Sequence, residues 1–152
     1  MNWLGFHWLT CSDGDARAYA LMRRHYSFHA YQDGRRQDAG NPNRHLFVGP
    51  GEKMVLLTVE CDALWVWRKF ISADGQRGVN CAVFRNESSV MSSTLILEAE
   101  QLAWTRWPGE RLYTYVDGRK IKSKNPGYCY KKAGWHVCGK TSKGLTILEK
   151  LP

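Results

Sequence analysis

Between Leu46 and Phe84 the chain repeats short apolar runs broken by turns, and from about Ser89 to Trp107 the apolar residues recur at helical spacing instead. That change of period limits the possible folds most. Leu46-Phe47-Val48 stops at Gly49-Pro50-Gly51. Met54 to Val59 and Leu64 to Ile71 follow, and Val79 to Phe84 comes after turns marked by Asp74-Gly75 and Gly78. Runs of this length and composition predict consecutive antiparallel strands. Met91, Leu95, Ala99, Leu102 and Ala103 then predict a helix that ends at Pro108-Gly109. Leu112 to Val116 reads as a strand. Lys124 to Ala133 reads as a short helix entered through Pro126, with Gly134 at its C-cap. Trp135 to Gly139 and Leu145 to Leu148 close the chain as a strand or hairpin. Strands in series followed by alternating helix and strand predict a mixed α+β (α/β) domain, a mostly antiparallel twisted sheet flanked by about three helices. A length of 152 residues fits one domain spanning 1–152.

Ahead of this region, Ser12-Asp13-Gly14-Asp15 predicts a capping box, with a helix from about Ala16 to Tyr26 whose shared face carries Ala16, Tyr19, Ala20 and Arg23. Residues 31–45 are polar and rich in turn formers, and predict a long loop. Loops of that length are often binding loops or lids, so Arg35, Arg36 and Arg44 are candidate basic contacts; a loop without function fits equally.

Lys and Arg total 22 against 14 Asp and Glu, a formal charge of +8. Such a balance favours a polyanionic partner or an anionic cofactor. The five cysteines form no CxxC, which points to free thiols in a reducing compartment. The start, MNWLGFHWLTC, lacks the basic region of a signal peptide, and no run approaches the ~20 apolar residues of a membrane span. The expectation is a cytoplasmic protein, bacterial or from a phage-infected cell, with no membrane partner.

The element order, and more sharply YKKAGW (Tyr130 to Trp135), resembles the GNAT N-acyltransferases, whose last helix ends in a YxxxGF-type sequence. LYTYVD, NPGYCYKKAGW, GKT, GLTILE and the earlier HYS (His25 to Ser27) resemble the narrower Mom-type branch of phage-associated proteins, which alter bases in DNA. The likeness covers about two thirds of the chain and implies a GNAT-like fold, an acyl-CoA donor such as acetyl-CoA, and DNA as acceptor. It makes Tyr130 the general acid towards the departing thiolate. The family binds the CoA pyrophosphate on a glycine-rich turn, but here that place reads RNESSVMSST (Arg85 to Thr94) and holds no glycine. Arg85 fits its first position, while Ser88 and Val90 replace the small residues. Free amides at a helix N-terminus hold phosphate without glycine, and Ser88, Ser89, Ser92 and Ser93 add hydroxyls; simple N-capping also accounts for the serines. Val83, Phe84 and Asn125 complete the implied cofactor-binding set.

Transfer to an amine needs a proton for the leaving group, which Tyr130 or, on another helical face, Tyr128 can supply. Asp117, at a strand end before Gly118, is placed to orient or deprotonate the amine, or is only a turn residue. Arg119, Lys120, Lys122 and Lys124 form a basic run suited to DNA phosphates. Trp65, Trp67, Trp104, Trp107 and Trp135 offer stacking surfaces where exposed. Glu98 and Glu100 point in different directions, so at most one faces the sheet, and with Glu87 they read mostly as solvated carboxylates. His25 and His29 are four apart, and His136 and Cys138 alternate, but without HExxH or paired cysteines no metal is expected. Two other functions fit the pattern: a non-catalytic nucleic-acid-binding protein on the same scaffold, and an acetyltransferase for a small-molecule or protein amine.

Overall fold

The computed structural model describes residues 6–28, 37–38, 41–120 and 125–152, with backbone only over 37–38 and 41–45. Its elements are β1 (Trp8–Cys11), α1 (Ala16–Met22), β2 (Gln37–Asp38), β3 (Asn41–His45), β4 (Glu52–Thr58), β5 (Ala63–Lys69), β6 (Val79–Asn86), α2 (Ser92–Arg106), β7 (Leu112–Val116), α3 (Tyr128–Lys132), β8 (His136–Lys140) and β9 (Thr146–Lys150). Seven strands make one sheet in the order β1-β4-β5-β6-β7-β9-β8, and β2 pairs with β3 apart from it. Every neighbouring pair in the large sheet is antiparallel except β6 and β7, which α2 joins as a crossover. The protein is therefore a mixed α+β structure built on a mostly antiparallel sheet.

Successive side chains of a strand face opposite sides, and β5 uses this to feed two cores. Trp65 and Trp67 join Leu95, Ile96, Ala99 and Ala103 of α2 and Tyr130 of α3. Leu64 and Val66 join Ala18, Leu21 and Met22 of α1 on the other face. Buried indoles usually find an acceptor: Trp8 and Trp67 donate to the carbonyls of Leu95 and Ala99, each at 2.9 Å, and tie α2 to the sheet.

Several expectations are corrected. The helix after the first turn stops at Met22, and it buries Ala18, Leu21 and Met22 rather than the face of Ala16 and Tyr19; its bulkiest aliphatic side chains set the phase. Asp15, not Ser12, caps it, accepting from the amides of Arg17 and Ala18. Asp13 instead accepts the amides of Phe47 and Val48, so residues 46–48 are pinned as coil rather than paired as a strand. The segment expected to be loop holds β2 and β3. Met91 is the exposed N-cap of α2 and not part of its buried face. Pro126 precedes the N-cap, Gly127, and so lies outside the first turn of α3. β1 was not expected at all: four residues are too few to reveal an alternation.

Gly78 sets the start of β6. Its φ is +123°, and a Cβ there would lie 2.2 Å from the carbonyl oxygen of Arg111, the same oxygen that receives the Val79 amide at 2.8 Å. Gly78→Ala should lower stability by about 1–3 kcal/mol, read as a lower urea midpoint at unchanged slope. A midpoint equal to the parent's would show that the turn relaxes freely.

Candidate functional site

β6 and β7 pair only through Val79–Leu112, Asn80–Tyr113 and Cys81–Thr114. Beyond that point β6 stays with β5 up to Asn86, and β7 stays with β9 up to Val116, so the sheet splits. The cause is local. Val66 pairs with Val83 but Trp67 with Cys81, which leaves Ala82 as an extra residue, a β-bulge. A bulge bends its strand and raises the twist. It also reverses which way later side chains face: Cys81 belongs to the α2 core, whereas Val83, two residues on, belongs to the α1 core. Where the ladder ends, the Thr114 hydroxyl donates to the Cys81 carbonyl at 2.9 Å.

The split opens a cleft of about 320 Å³, lined by Cys81 to Phe84, Thr114 to Val116, His25, Tyr26, Asn125 and Gly127 to Tyr130. His25 and Tyr26 follow α1 while Tyr130 belongs to α3, so residues packed on both faces of the sheet meet in one opening. Tyr130 is 8% exposed, its hydroxyl 3.5 Å from the Cys81 sulfur. Burial pushes its phenol well above the ordinary value and the Cys81 thiol to about 12, so both keep their protons at neutral pH.

The YKKAGW segment holds Tyr130 in place. The Trp135 amide donates to the Tyr130 carbonyl at 2.9 Å and the Gly134 amide to that of Lys131 at 3.0 Å, with Gly134 at φ +97°. This is a Schellman cap, in which glycine takes the left-handed position. The apolar packing that commonly accompanies it is Trp135 against Tyr130, ring centroids 5.1 Å apart. Trp135 also donates at 2.8 Å to Glu100, which Lys150 meets at 2.7 Å; Lys150 donates further to the Ala133 carbonyl at 2.8 Å. Glu100 is 1% exposed, so it is the one of the two helix carboxylates that faces the sheet, and it is not solvated. Glu98 instead accepts from the amide and ring of His7.

Tyr128 lines the cleft too but is 56% exposed. The carboxylate of Asp117 turns to its own neighbour, accepting from the Arg119 amide at 3.0 Å and the Arg119 guanidinium at 3.1 Å. Those bonds lower its pKa, which makes it a weaker base. Val83, Phe84 and Asn125 stand in the cleft wall.

At the turn from β6 to α2, Asn86 does the shaping. Its amide group donates to the Val90 carbonyl and the Ser92 hydroxyl, and its oxygen accepts from the amide and hydroxyl of Ser88. None of residues 85–94 has a positive φ, so the turn needs no glycine for its conformation. No side chain caps α2, and among the described residues no acceptor reaches the Ser92 and Ser93 amides. Simple N-capping therefore does not account for the serines. Ser88 and Ser92 serve the turn, while Ser89 and Ser93 have no partner among the described residues.

Arg85 and Arg24 both bind Glu87, at 2.9 and 2.7 Å. The Arg24 hydrogen bond, ahead of the Arg85 one, pulls the Glu87 carboxyl down to about 2. Its folded value lies below the ordinary glutamate value of about 4.3. The stabilisation is thus present above that pH and lost as pH falls towards 2. Arg24→Gln should move the Glu87 midpoint up towards the ordinary value in a carboxyl NMR titration; an unmoved midpoint would exclude the pair as the cause.

Of the basic candidates, Arg119 and Lys120 are exposed, and Arg119 reaches the Lys143 carbonyl at 3.3 Å. Arg35, Arg36, Lys122, Lys124, His29 and the Arg44 side chain lie outside the described residues. Trp65, Trp67, Trp107 and Trp135 are buried and offer no stacking surface, because the sheet and α2 need them as core. Among the described residues no group of three or more His, Cys, Asp or Glu is placed to hold a metal ion, and no helix is long and apolar enough to cross a membrane. The residues missed from sequence are Ala82, whose bulge has no signature in VNCAVFRN, and Glu100, a charge whose partners lie 35 and 50 residues away. No family model, no curated protein and no solved structure matches the chain.

Proposed function

We propose that the chain is a GNAT-like N-acyltransferase whose split sheet receives the thioester of an acyl-CoA, with Tyr130 as general acid. The observation that carries this reading is a buried phenol, protonated at neutral pH, in a cleft formed where one parallel strand pair parts at a bulge. As a neutral amine attacks the thioester carbonyl, the carbon–sulfur bond breaks and Tyr130 gives its proton to the leaving sulfur. The free amides at the start of α2 suit the donor's phosphates, since a helix N-terminus favours anions. Asp117, tied to Arg119, is not the base: the proton that the amine nitrogen sheds on forming the amide goes to water, and water returns a proton to the Tyr130 phenolate.

The acceptor in this reading is an amine on DNA, a base or an already modified base. The charge of +8 and the exposed Arg119, Lys120, Lys140 and Lys143 support a polyanion. Replacing Lys120, Lys122 and Lys124 by Gln should weaken DNA binding and flatten its log–log salt dependence by about 0.9 for each phosphate no longer neutralised. Unchanged binding with altered stability alone would make the run mere surface. The test of the donor is calorimetric titration with acetyl-CoA at low and moderate salt. Saturable one-site binding supports the transferase. A folded protein that ignores acetyl-CoA would instead support a binding-only role on the same scaffold.

A further inference from the structure

His25 stands in the cleft wall on the turn after α1, its ring stacked on Tyr26 with centroids 4.4 Å apart. Its protonation state follows from one hydrogen bond. The Ser27 backbone amide donates to Nδ1 at 3.2 Å, and the Ser27 hydroxyl lies 2.7 Å from the same atom. A backbone N–H can only donate, so Nδ1 carries no proton and accepts from both groups. In the neutral ring the proton then sits on Nε2. Among the described residues Nε2 has no partner, and it is not sealed from solvent.

The surroundings keep the ring neutral. Burial first, and the positive charge of Arg85 second, depress its pKa to about 4. A neutral ring whose bare nitrogen is already occupied cannot serve as a base towards a molecule in the cleft. It offers a single fixed donor. The Tyr26 ring lies stacked against it and also lines the cleft.

We propose that His25, locked by Ser27 in the Nε2–H form, is a recognition residue that donates a hydrogen bond to an uncharged acceptor atom of the substrate, a carbonyl oxygen or a ring nitrogen. The inference rests on the cleft being the reactive site of the transferase described above. Two sources supply such an atom: the acyl carbonyl of the donor, or a base of the nucleic acid. A cationic amine has no lone pair for this donor and is disfavoured beside it.

The test uses the full chain labelled with ¹⁵N-histidine, with His25 assigned through His25→Gln. Long-range ¹H–¹⁵N spectra at neutral pH should show a bare Nδ1 and a protonated Nε2. If the acyl carbonyl is read, acetyl-CoA moves the Nε2 signal and free CoA does not. If a base is read, a single-stranded oligodeoxynucleotide moves it. His25→Gln keeps an amide donor near the same place and should hold affinity for that ligand within about threefold, while His25→Leu should lose about tenfold. An Nδ1–H ring, an Nε2 signal unmoved by all three ligands, or equal losses in the Gln and Leu variants overturns the inference. Its failure is separable from that of the transferase reading. Acetyl-CoA that binds while neither it nor the oligonucleotide moves Nε2 sinks the His25 role alone. An oligonucleotide that moves Nε2 in a protein indifferent to acetyl-CoA sinks the transferase alone.

Discussion

Tyr130→Phe lowers acyl-transfer turnover by roughly 10²–10⁴-fold and leaves donor affinity nearly unchanged, because it removes one oxygen and the proton on it. The ring remains to pack against Trp65, Phe84 and Trp135, so the cleft wall and the Schellman cap survive. Among the described residues the hydroxyl's hydrogen-bond partner is the Cys81 sulfur at 3.5 Å, a long approach that adds little stability. Rate and stability therefore separate in this variant. Burial holds the parent's phenol well above its ordinary value, so the acid stays loaded throughout the neutral range. The parent's rate should show no limb there from deprotonation of Tyr130. Steady-state turnover with matched measurement of acetyl-CoA affinity decides the matter: a rate equal to the parent's removes Tyr130 from the acid's role.

The second large effect is on stability. Lys150→Met leaves the Glu100 carboxylate, 1% exposed, with the Trp135 indole as its remaining donor, and should cost about 3–5 kcal/mol at neutral pH. Burial already raises the Glu100 pKa, and Lys150 with Trp135 opposes that rise. Without Lys150 the folded value climbs further above the unfolded one. A carboxyl raised in this way favours the folded state below its unfolded value and loses that advantage as pH rises through the folded value. The deficit of Lys150→Met is thus greatest at neutral pH and shrinks on acidification. Adding Glu100→Leu removes the stranded charge and should recover much of the deficit, which a double-mutant cycle in urea measures. A double variant no more stable than the single one would refute the buried pair. Because Lys150 also holds the Ala133 carbonyl, the single variant should loosen the turn that carries Tyr130 and Trp135.

By itself the amino-acid sequence determined whatever depends on near neighbours. The apolar runs of β4, β5 and β6, the helical period of α2, and the glycine of the α3 cap each follow from residues within a few positions of one another, where steric and hydrogen-bonding rules act locally. Tyr130 was legible for the same reason, since YKKAGW is a complete local cap. What only the tertiary structure decided is where distant segments meet. The bulge at Ala82 is a mismatch of register between two strands. The cleft follows from it, because β6 and β7 each remain with another partner once their own pairing ends. The burial of Glu100 depends on Trp135 and Lys150, and the burial of five of the tryptophans depends on how the sheet, α2 and α3 close over them. These are long-range interactions, and a short window of sequence carries no trace of a partner dozens of residues away.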